Sequence, residues 1–500
     1  MTLLIKLNPK ANIPIYRQIM DQIIGLIDTG ALKPGAHLPS TRDLAHKLGL
    51  NRSTVYRAYQ ELWALGYVES RPGSYSTVRK RTRIVSGDLP REDGVMDWHQ
   101  KSTPGGRALY ESLAAETTLI RSASGSDLVN FMPLSPDNRL FPLDDFRKCM
   151  NQALHEEGTD LLQYGDVLGY GPLRAFIAER MQQHSVSVST DEILITTGAQ
   201  GAIELLLHLL TEPGADVALG APTYSRAIAL FRLFKVNMVE VPVGHDGMDL
   251  DMLEGLLQKT RPRFVYTIPN FHNPMGITTE QAHRERLLEI CEASRVPLVE
   301  DGFEEEMKYF GKTVLPIKSM DHRGVVIYLG TFSKVLFPGL RIGWVAADRG
   351  CIERLAAIQQ AQILSGNLLG QAALTRFCRS GRYDMHIKRM HRIYRKRMQV
   401  ALKAMKEAYL PNQVLWTRPA GGYTLWIELN GLDMEDETLF RFMADRGILI
   451  SPGSHHFCNP PDRLGFRISI AHLEETDIQE GISRLGMALW DLYENARRRP

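Results

Sequence analysis

The stretch Val325-Val326-Ile327-Tyr328-Leu329-Gly330-Thr331-Phe332-Ser333-Lys334 runs through five apolar residues, stops on a glycine and then delivers two hydroxyls and a lysine. A short apolar run bounded by turn signals reads as a buried strand. Four similar runs precede it, at 193–195, 217–219, 264–268 and 296–299, with helical stretches between them. That alternation predicts an α/β domain built on a mainly parallel sheet. In such a sheet ligands sit beyond the carboxyl ends of the strands. The residues that follow each run are therefore the ones to examine for chemistry.

The first run leads through Thr196-Thr197 into Gly198-Ala199-Gln200, which opens a helix. Free backbone N–H groups at such a helix start suit a phosphate. The run at 264–268 leads into Pro269-Asn270-Phe271-His272-Asn273-Pro274-Met275-Gly276. The run at 296–299 leads into Glu300-Asp301-Gly302-Phe303, and Gly339-Leu340-Arg341 follows Lys334 closely. Alone, each is a turn, a strand-end carboxylate or a surface lysine. Together and in this order they supply what a pyridoxal site requires. A lysine amine forms a Schiff base with the aldehyde, and a substrate amine can displace it. A carboxylate keeps the pyridine nitrogen protonated, while hydroxyls, backbone N–H groups and an arginine hold the dianionic phosphate. Beyond about residue 380, a basic helical segment (383–406) and strand-like stretches at 421–427 and 466–470 predict a smaller C-terminal subdomain.

The first 80 residues have a different organisation. Ile15, Ile19, Ile23 and Ile27 recur every four residues, which predicts an amphipathic helix over 14–29. Ser40, with Asp43 three residues on, opens a second helix over 41–48. Asn51 caps a third that runs to about Leu65, with Gly66 as its stop. Two short strands, 67–69 and 76–78, flank the turn Arg71-Pro72-Gly73-Ser74. Helix, turn, helix and basic hairpin is the order of a winged helix-turn-helix, whose second helix enters the DNA major groove with its N-terminal residues leading. On that edge fall Arg42, Arg52, Ser53, Thr54, Arg57 and Arg71, offering guanidinium groups for phosphate or guanine and hydroxyls for phosphate.

Charge agrees with this division. Residues 1–83 carry 13 Lys+Arg against 5 Asp+Glu, a balance of +8 in a chain of net charge +2, so the remainder is mildly acidic. A basic head on an acidic body suggests that the head meets a polyanion and the body does not. We therefore expect a DNA-binding head over 1–80, a flexible linker over 81–125 with a helical patch near 108–119, and a body over 126–500.

Five hundred residues, 44% apolar and 23% charged, form a soluble globular composition sufficient for two or three domains. The five cysteines lie far apart with no CxxC pair, against a disulfide framework or structural zinc. His455, His456 and Cys458 are the only local cluster of metal-ligand types, and no second cluster matches it, so no metal is expected. The chain lacks an apolar run of membrane-spanning length and a secretion signal, and a cytoplasmic protein is expected.

Residues 126–500 resemble a fold-type I aminotransferase, and the whole chain resembles the MocR subfamily of GntR-type regulators. Residues 14–73 match the GntR winged helix almost end to end. Gly330-Thr331-Phe332-Ser333-Lys334 followed by Pro338-Gly339-Leu340-Arg341-Ile342-Gly343-Trp344 is specific to the group. The resemblance implies pyridoxal 5'-phosphate (PLP) as cofactor, with Lys334 as the Schiff-base lysine and Asp301 at the pyridine nitrogen. It implies Asn273 at the ring hydroxyl, Tyr224 stacked on the ring, and Gly198, Ala199, Gln200, Thr331, Ser333 and Arg341 around the phosphate. Tyr164 resembles a tyrosine that reaches the phosphate of the neighbouring subunit in a domain-swapped homodimer. Arg467 resembles the arginine that clamps a substrate carboxylate, with Arg463 as its rival.

Two positions depart from the family pattern. Phe303 stands where related regulators have a tyrosine, and a phenyl ring cannot donate to the cofactor hydroxyl. The wing reads Gly73-Ser74-Tyr75 rather than Gly-Ser-Gly. The implied function is a PLP-dependent transcription regulator that binds operator DNA and senses an amine or amino acid through an external aldimine. The alternative is an active amino-acid aminotransferase carrying a DNA-binding head.

Overall fold

Ile19 and Ile23, one turn apart on helix α1 (Ile15–Asp28), are fully buried. They pack with Leu44 of α2 (Thr41–Leu48) and with Val55, Ala58 and Leu62 of α3 (Arg52–Ala64). Both caps form as expected. Ser40 Oγ accepts from the Asp43 amide at 3.1 Å, and Asn51 Oδ1 accepts from the Ser53 amide at 3.0 Å. Each satisfies an amide that a helix start leaves without a partner. Gly66 follows α3 at φ 70, a left-handed turn that sends the chain into β1 (Val68–Glu69). Strand β1 pairs antiparallel with β2 (Thr77–Val78), Val68 opposite Val78. A three-helix head with a hairpin results.

The computed structural model describes all residues except 1–2, 10, 12, 70–74, 81–95, 123–127, 304–305, 313 and 499–500. Arg71, Gly73 and Ser74 of the wing turn therefore lie outside the described residues, as does much of the expected linker. The chain divides into two units, Met1–Asp97 and Trp98–Pro500. The body thus begins earlier than the expected residue 126. Helix α4 (Pro104–Ser122) occupies the second half of the stretch expected to be linker, and is longer than the patch at 108–119. It is held by side chains rather than left as a tether: Glu116 pairs with Arg226 at 3.5 Å. Sequence periodicity understated α4 because several of its large apolar residues, Tyr110 and Leu113 among them, remain exposed.

In the body, eight strands form one sheet. They are β3 (Ile193–Thr196), β4 (Asp216–Ala221), β5 (Asn237–Gly244), β6 (Gly247–Met248), β7 (Val265–Thr267), β8 (Leu298–Asp301), β9 (Val326–Thr331) and β10 (Gly343–Ala346). Their order is β3-β10-β9-β8-β7-β4-β5-β6. The pairs β5–β4, β4–β7, β7–β8 and β8–β9 are parallel. Strand β10 runs antiparallel between β3 and β9, and the edge strand β6 antiparallel to β5. Strands β3, β7, β8 and β9 are buried along their whole length, which explains why they read as unbroken apolar runs. Helices α5 (Gly198–Leu210) and α6 (Ser225–Leu233) follow β3 and β4.

The C-terminal subdomain is a four-stranded antiparallel sheet. Its strands β11 (Val414–Trp416), β12 (Thr424–Leu429), β13 (Ser451–Pro452) and β14 (Leu464–Ser469) run in the order β11-β12-β14-β13. Helix α7 (Arg382–Glu407) packs against this subdomain: Tyr394 Oη donates to the Ala471 carbonyl at 2.7 Å. Arg397 of the same helix meets Asp137 at 2.7 Å, and Arg139 meets it at 2.8 Å. Burial pushes the Asp137 carboxyl upward, but the two guanidinium groups outweigh it and hold the carboxyl at about 2. Among the described residues, no helix is long and apolar enough to cross a membrane.

Candidate functional site

The parallel strands bring the expected residues to one end of the sheet. Asp301 closes β8, Thr331 closes β9, and Lys334 lies just beyond it. These three, with Tyr224, Asn273, Ala199, Gln200, Ser333 and Arg341, line a single cavity of about 110 Å³. Gly198 opens α5 beside it at φ 82. A side chain there would sit 3.0 Å from Arg341 Nη2, so the backbone approaches the guanidinium only because the residue is glycine. Arg341 Nη2 donates to the Thr197 carbonyl at 2.7 Å. Ser333 receives its place from Thr331, whose Oγ1 accepts from the Ser333 amide at 3.1 Å. Helix-start amides, two hydroxyls and a guanidinium thus converge, a set suited to a phosphate dianion.

Asp301 is buried. Its Oδ2 accepts from Tyr266 Oη at 2.6 Å, whereas the buried Oδ1 has no hydrogen-bond partner. Burial raises the carboxyl to about 6, against the hydrogen bond from Tyr266 and the charge of Lys334. A buried acceptor without a donor is costly unless a ligand supplies one. A protonated ring nitrogen is such a donor, so the residues present fit a pyridoxal group. Lys334 Nζ donates to the Leu134 carbonyl at 2.7 Å. Burial, with the Asp301 charge second, raises the Tyr224 hydroxyl to about 12.

Arg467 is buried on β14. Its Nη1 donates to Asn273 Oδ1 at 3.1 Å and its Nη2 to the Met132 carbonyl at 2.6 Å. The rival Arg463 is separated from it by exposure: its side chain is 70% accessible and pairs with Glu428 at 3.8 Å. Arg467 also lines a wider cleft of about 760 Å³ with Lys334, Tyr224, Asn273, His455 and residues of α4. Phe303 lines the cofactor-sized cavity. Tyr164 does not; it is 79% exposed on the body surface. His456 is engaged structurally, with Nδ1 2.9 Å from the Thr223 carbonyl and Nε2 3.4 Å from Ser451 Oγ.

Sequence reasoning missed three contributors. Tyr266 sits on β7, next to β8, and only strand adjacency shows that it reaches Asp301. The Leu134 carbonyl is 200 residues from Lys334 in the chain and carries no side-chain signal. Helix α4 lines the cleft although its sequence reads as linker.

On the head, Arg42, Arg52, Ser53 and Arg57 are exposed and Thr54 is half-buried. Arg52 begins α3, its Nε donating to Thr41 Oγ1 at 3.4 Å. Two of the expected contacts have neighbours of their own. Ser53 Oγ donates to Asn51 Oδ1 at 3.0 Å, and the Arg57 guanidinium lies 4.1 Å from the centre of the Tyr16 ring. Tyr56, exposed between them on α3, was not anticipated.

Residues 130–485 match the family described as aminotransferase class I and II, and residues 15–78 match the bacterial regulatory proteins of the gntR family. The chain is 30% identical over 481 residues to the HTH-type transcriptional regulator YdfD of Bacillus subtilis, covering 96% of this chain and 97% of that protein. It is 29% identical over 485 residues to the probable rhizopine catabolism regulatory protein MocR of Rhizobium meliloti, covering 96% and 95%. Among solved structures it is similar to LysN of Thermus thermophilus, an α-aminoadipate aminotransferase complexed with N-(5'-phosphopyridoxyl)-L-leucine. That match has a TM-score of 0.71 and 34% identity, covering 80% of this chain and all of that one. The aminotransferase family implies PLP, and the GntR head implies DNA binding. The chain therefore belongs to the aminotransferase class I and II family through its body and, with its GntR head, to the MocR group of transcription regulators.

Proposed function

We propose that the protein is an amine-responsive, PLP-dependent regulator in which Lys334, Asp301 and the phosphate cradle around Gly198 and Arg341 hold the cofactor. The observation that carries this reading is the pairing, in one small cavity, of a lysine amine with a buried carboxylate oxygen that lacks a donor. When bound, PLP supplies an aldehyde that captures primary amines and a ring that stores electrons. The protein's own residues do the rest. Asp301 would hold a proton on the ring nitrogen, Asn273 would serve the ring hydroxyl, and Tyr224 would pack on the ring. Gly198, Ala199, Gln200, Thr331, Ser333 and Arg341 neutralise the phosphate.

The Lys334 amine would hold the cofactor aldehyde until a primary amine or amino acid competes for it, which is the sensing chemistry expected from the sequence. Arg467 receives its carboxylate in the cleft. Phe303 leaves the ring hydroxyl one donor short of the related regulators. The exposed Tyr164 completes the phosphate site of a second copy in a homodimer. Arg42, Arg52, Ser53, Thr54, Arg57 and Arg71 would face operator DNA, and a cytoplasmic location belongs to the same reading. A second reading, transamination, is favoured by the intact trio of Lys334, Asp301 and Arg467.

The cofactor site has a pH signature. Burial raises the Asp301 carboxyl to about 6. Above that pH the carboxylate is charged and attracts a protonated ring nitrogen; below it the acid is neutral and that attraction is lost. PLP affinity, measured by absorbance or fluorescence titration between pH 5 and 8, is expected to fall as pH drops through about 6. Asp301→Asn should bind more weakly and lose the dependence. One cofactor per chain with that profile supports the reading. A flat profile, or no stoichiometric binding, contradicts it.

A further inference from the structure

The overall acidity of the body conceals a strongly basic helix. Residues 385–406 of α7 hold eight Lys and Arg and no Asp or Glu. Arg397 is used internally, against Asp137. Lys388, Arg389, Arg392, Arg395 and Lys396 are all exposed. Four of them, with His391, Ile387 and Gln399, line a shallow groove of about 660 Å³ along the helix. The spacing 388, 392, 395, 396 follows one face of a helix.

Several arginines elsewhere on the body are matched with acids: Arg180 with Glu306, Arg376 with Glu156 and Glu157, Arg379 with Glu179. On the α7 face, only Lys396 has a carboxylate, Glu475 at 2.6 Å, and Arg395 lies over the Phe310 ring. Among the described residues Lys388, Arg389 and Arg392 have no ion pair. Like charges three and four residues apart on a helix repel. Their repetition here brings no gain to the fold, and a surface that keeps such a cost is matched to something outside it.

We propose that the groove on α7 is a second nucleic-acid contact, taking the phosphate backbone of duplex DNA. It rests on the reading of the chain as a DNA-binding regulator and goes beyond the expectation that the head alone meets a polyanion. From 388 to 396 the helix rises about 12 Å, at 1.5 Å per residue, which spans about three phosphates of one strand at 3.4 Å each. The residue types, charged and flexible with no amide side chain but Gln399, suit backbone rather than base contact. The contact is therefore independent of sequence. A duplex presents a continuous row of phosphates along which a row of cations on one helix face can be neutralised without a fixed register.

The test uses the full-length, PLP-loaded protein and a random-sequence duplex several helical turns long, with affinity measured across a salt series. Lys388→Ala/Arg392→Ala should lower the slope of log affinity against log salt by about 2, because each neutralised phosphate contributes about 0.9. Lys388→Arg/Arg392→Lys should keep the original slope, and all variants should keep the visible spectrum of the bound cofactor. An unchanged slope in the alanine variant overturns the proposal, whatever acidic protein the face binds. Arg52→Ala/Arg57→Ala separates the two readings. If it alone weakens duplex binding, the head stands and the α7 contact fails. If it has no effect while the α7 variant does, the head reading fails and the α7 contact stands.

Discussion

Replacing Lys334 with alanine is expected to abolish covalent retention of the cofactor. After borohydride reduction and denaturation, the wild-type chain should carry one pyridoxyl group and the variant none, read by mass spectrometry of the intact chain. No other amine has the position to substitute for it: among the residues that line the cavity, Lys334 is the only lysine. The loss is specific to the site rather than to the fold. The side chain is half-buried and its main polar contact is to the Leu134 carbonyl, a bond of about 1 kcal/mol in net terms. The variant should therefore remain folded and should still bind operator DNA, but without any response to amines. A labelled variant would move the Schiff base to another residue and undo the site assignment.

The second large effect concerns the head. Arg52→Ala should weaken operator binding by about 5- to 150-fold, the range set by about 1–3 kcal/mol for a well-placed arginine contact. If Arg52 reads a guanine, the loss concentrates on that base pair. If it meets phosphate, the loss is uniform over sequences and the salt slope falls by about 1. Arg52 is the cleaner probe of the two arginines on α3, since within the head it donates to the Thr41 hydroxyl alone among the described residues. Arg57 lies over the Tyr16 ring, and its removal takes away a packing contact between α3 and α1 as well as a charge. Electrophoretic mobility or anisotropy titration measures the effect. Unchanged affinity would mean that α3 does not lead into the groove.

These assignments show what a sequence of this kind displays openly. The head was legible because its signals are local. Ser40 and Asn51 are caps whose partners lie two or three residues away, and the isoleucines of α1 repeat with the helix. The sheet was legible for a different reason: its parallel strands are buried on both faces, so they appear as apolar runs with functional residues at their ends. Lys334, Asp301 and Asn273 stand out because each follows such a run, and the resemblance to fold-type I aminotransferases gave them their roles and added Tyr224.

The rest depends on distant partners. Tyr266 shows its importance only when β7 lies beside β8. Strand β10 is a four-residue antiparallel strand directly after the arginine turn, and its place between β3 and β9 is set by distant pairing. Helix α4 was taken for linker because its apolar residues are not gathered into one buried stripe. Net charge hides local charge in the same manner: a body that is acidic on average carries one helix, 385–406, with eight Lys and Arg and no acid. Arg467 and Arg463 were indistinguishable four residues apart, and burial alone separates them.

The account turns on whether occupancy of the cleft is felt at the DNA. The most direct measurement takes PLP-loaded protein, identifies from a panel the amine or amino acid that shifts its visible spectrum, and compares operator affinity with and without that compound at saturation. A regulator requires its two ligation states to differ in DNA binding, by a coupling of about 1–3 kcal/mol in typical cases. We predict a persistent spectral change, a change in operator affinity of about 5- to 150-fold corresponding to that coupling, and no response in Lys334→Ala. The contradicting result is a cofactor band that bleaches, returns on addition of a keto acid, and leaves operator affinity unchanged, as a working transaminase would behave.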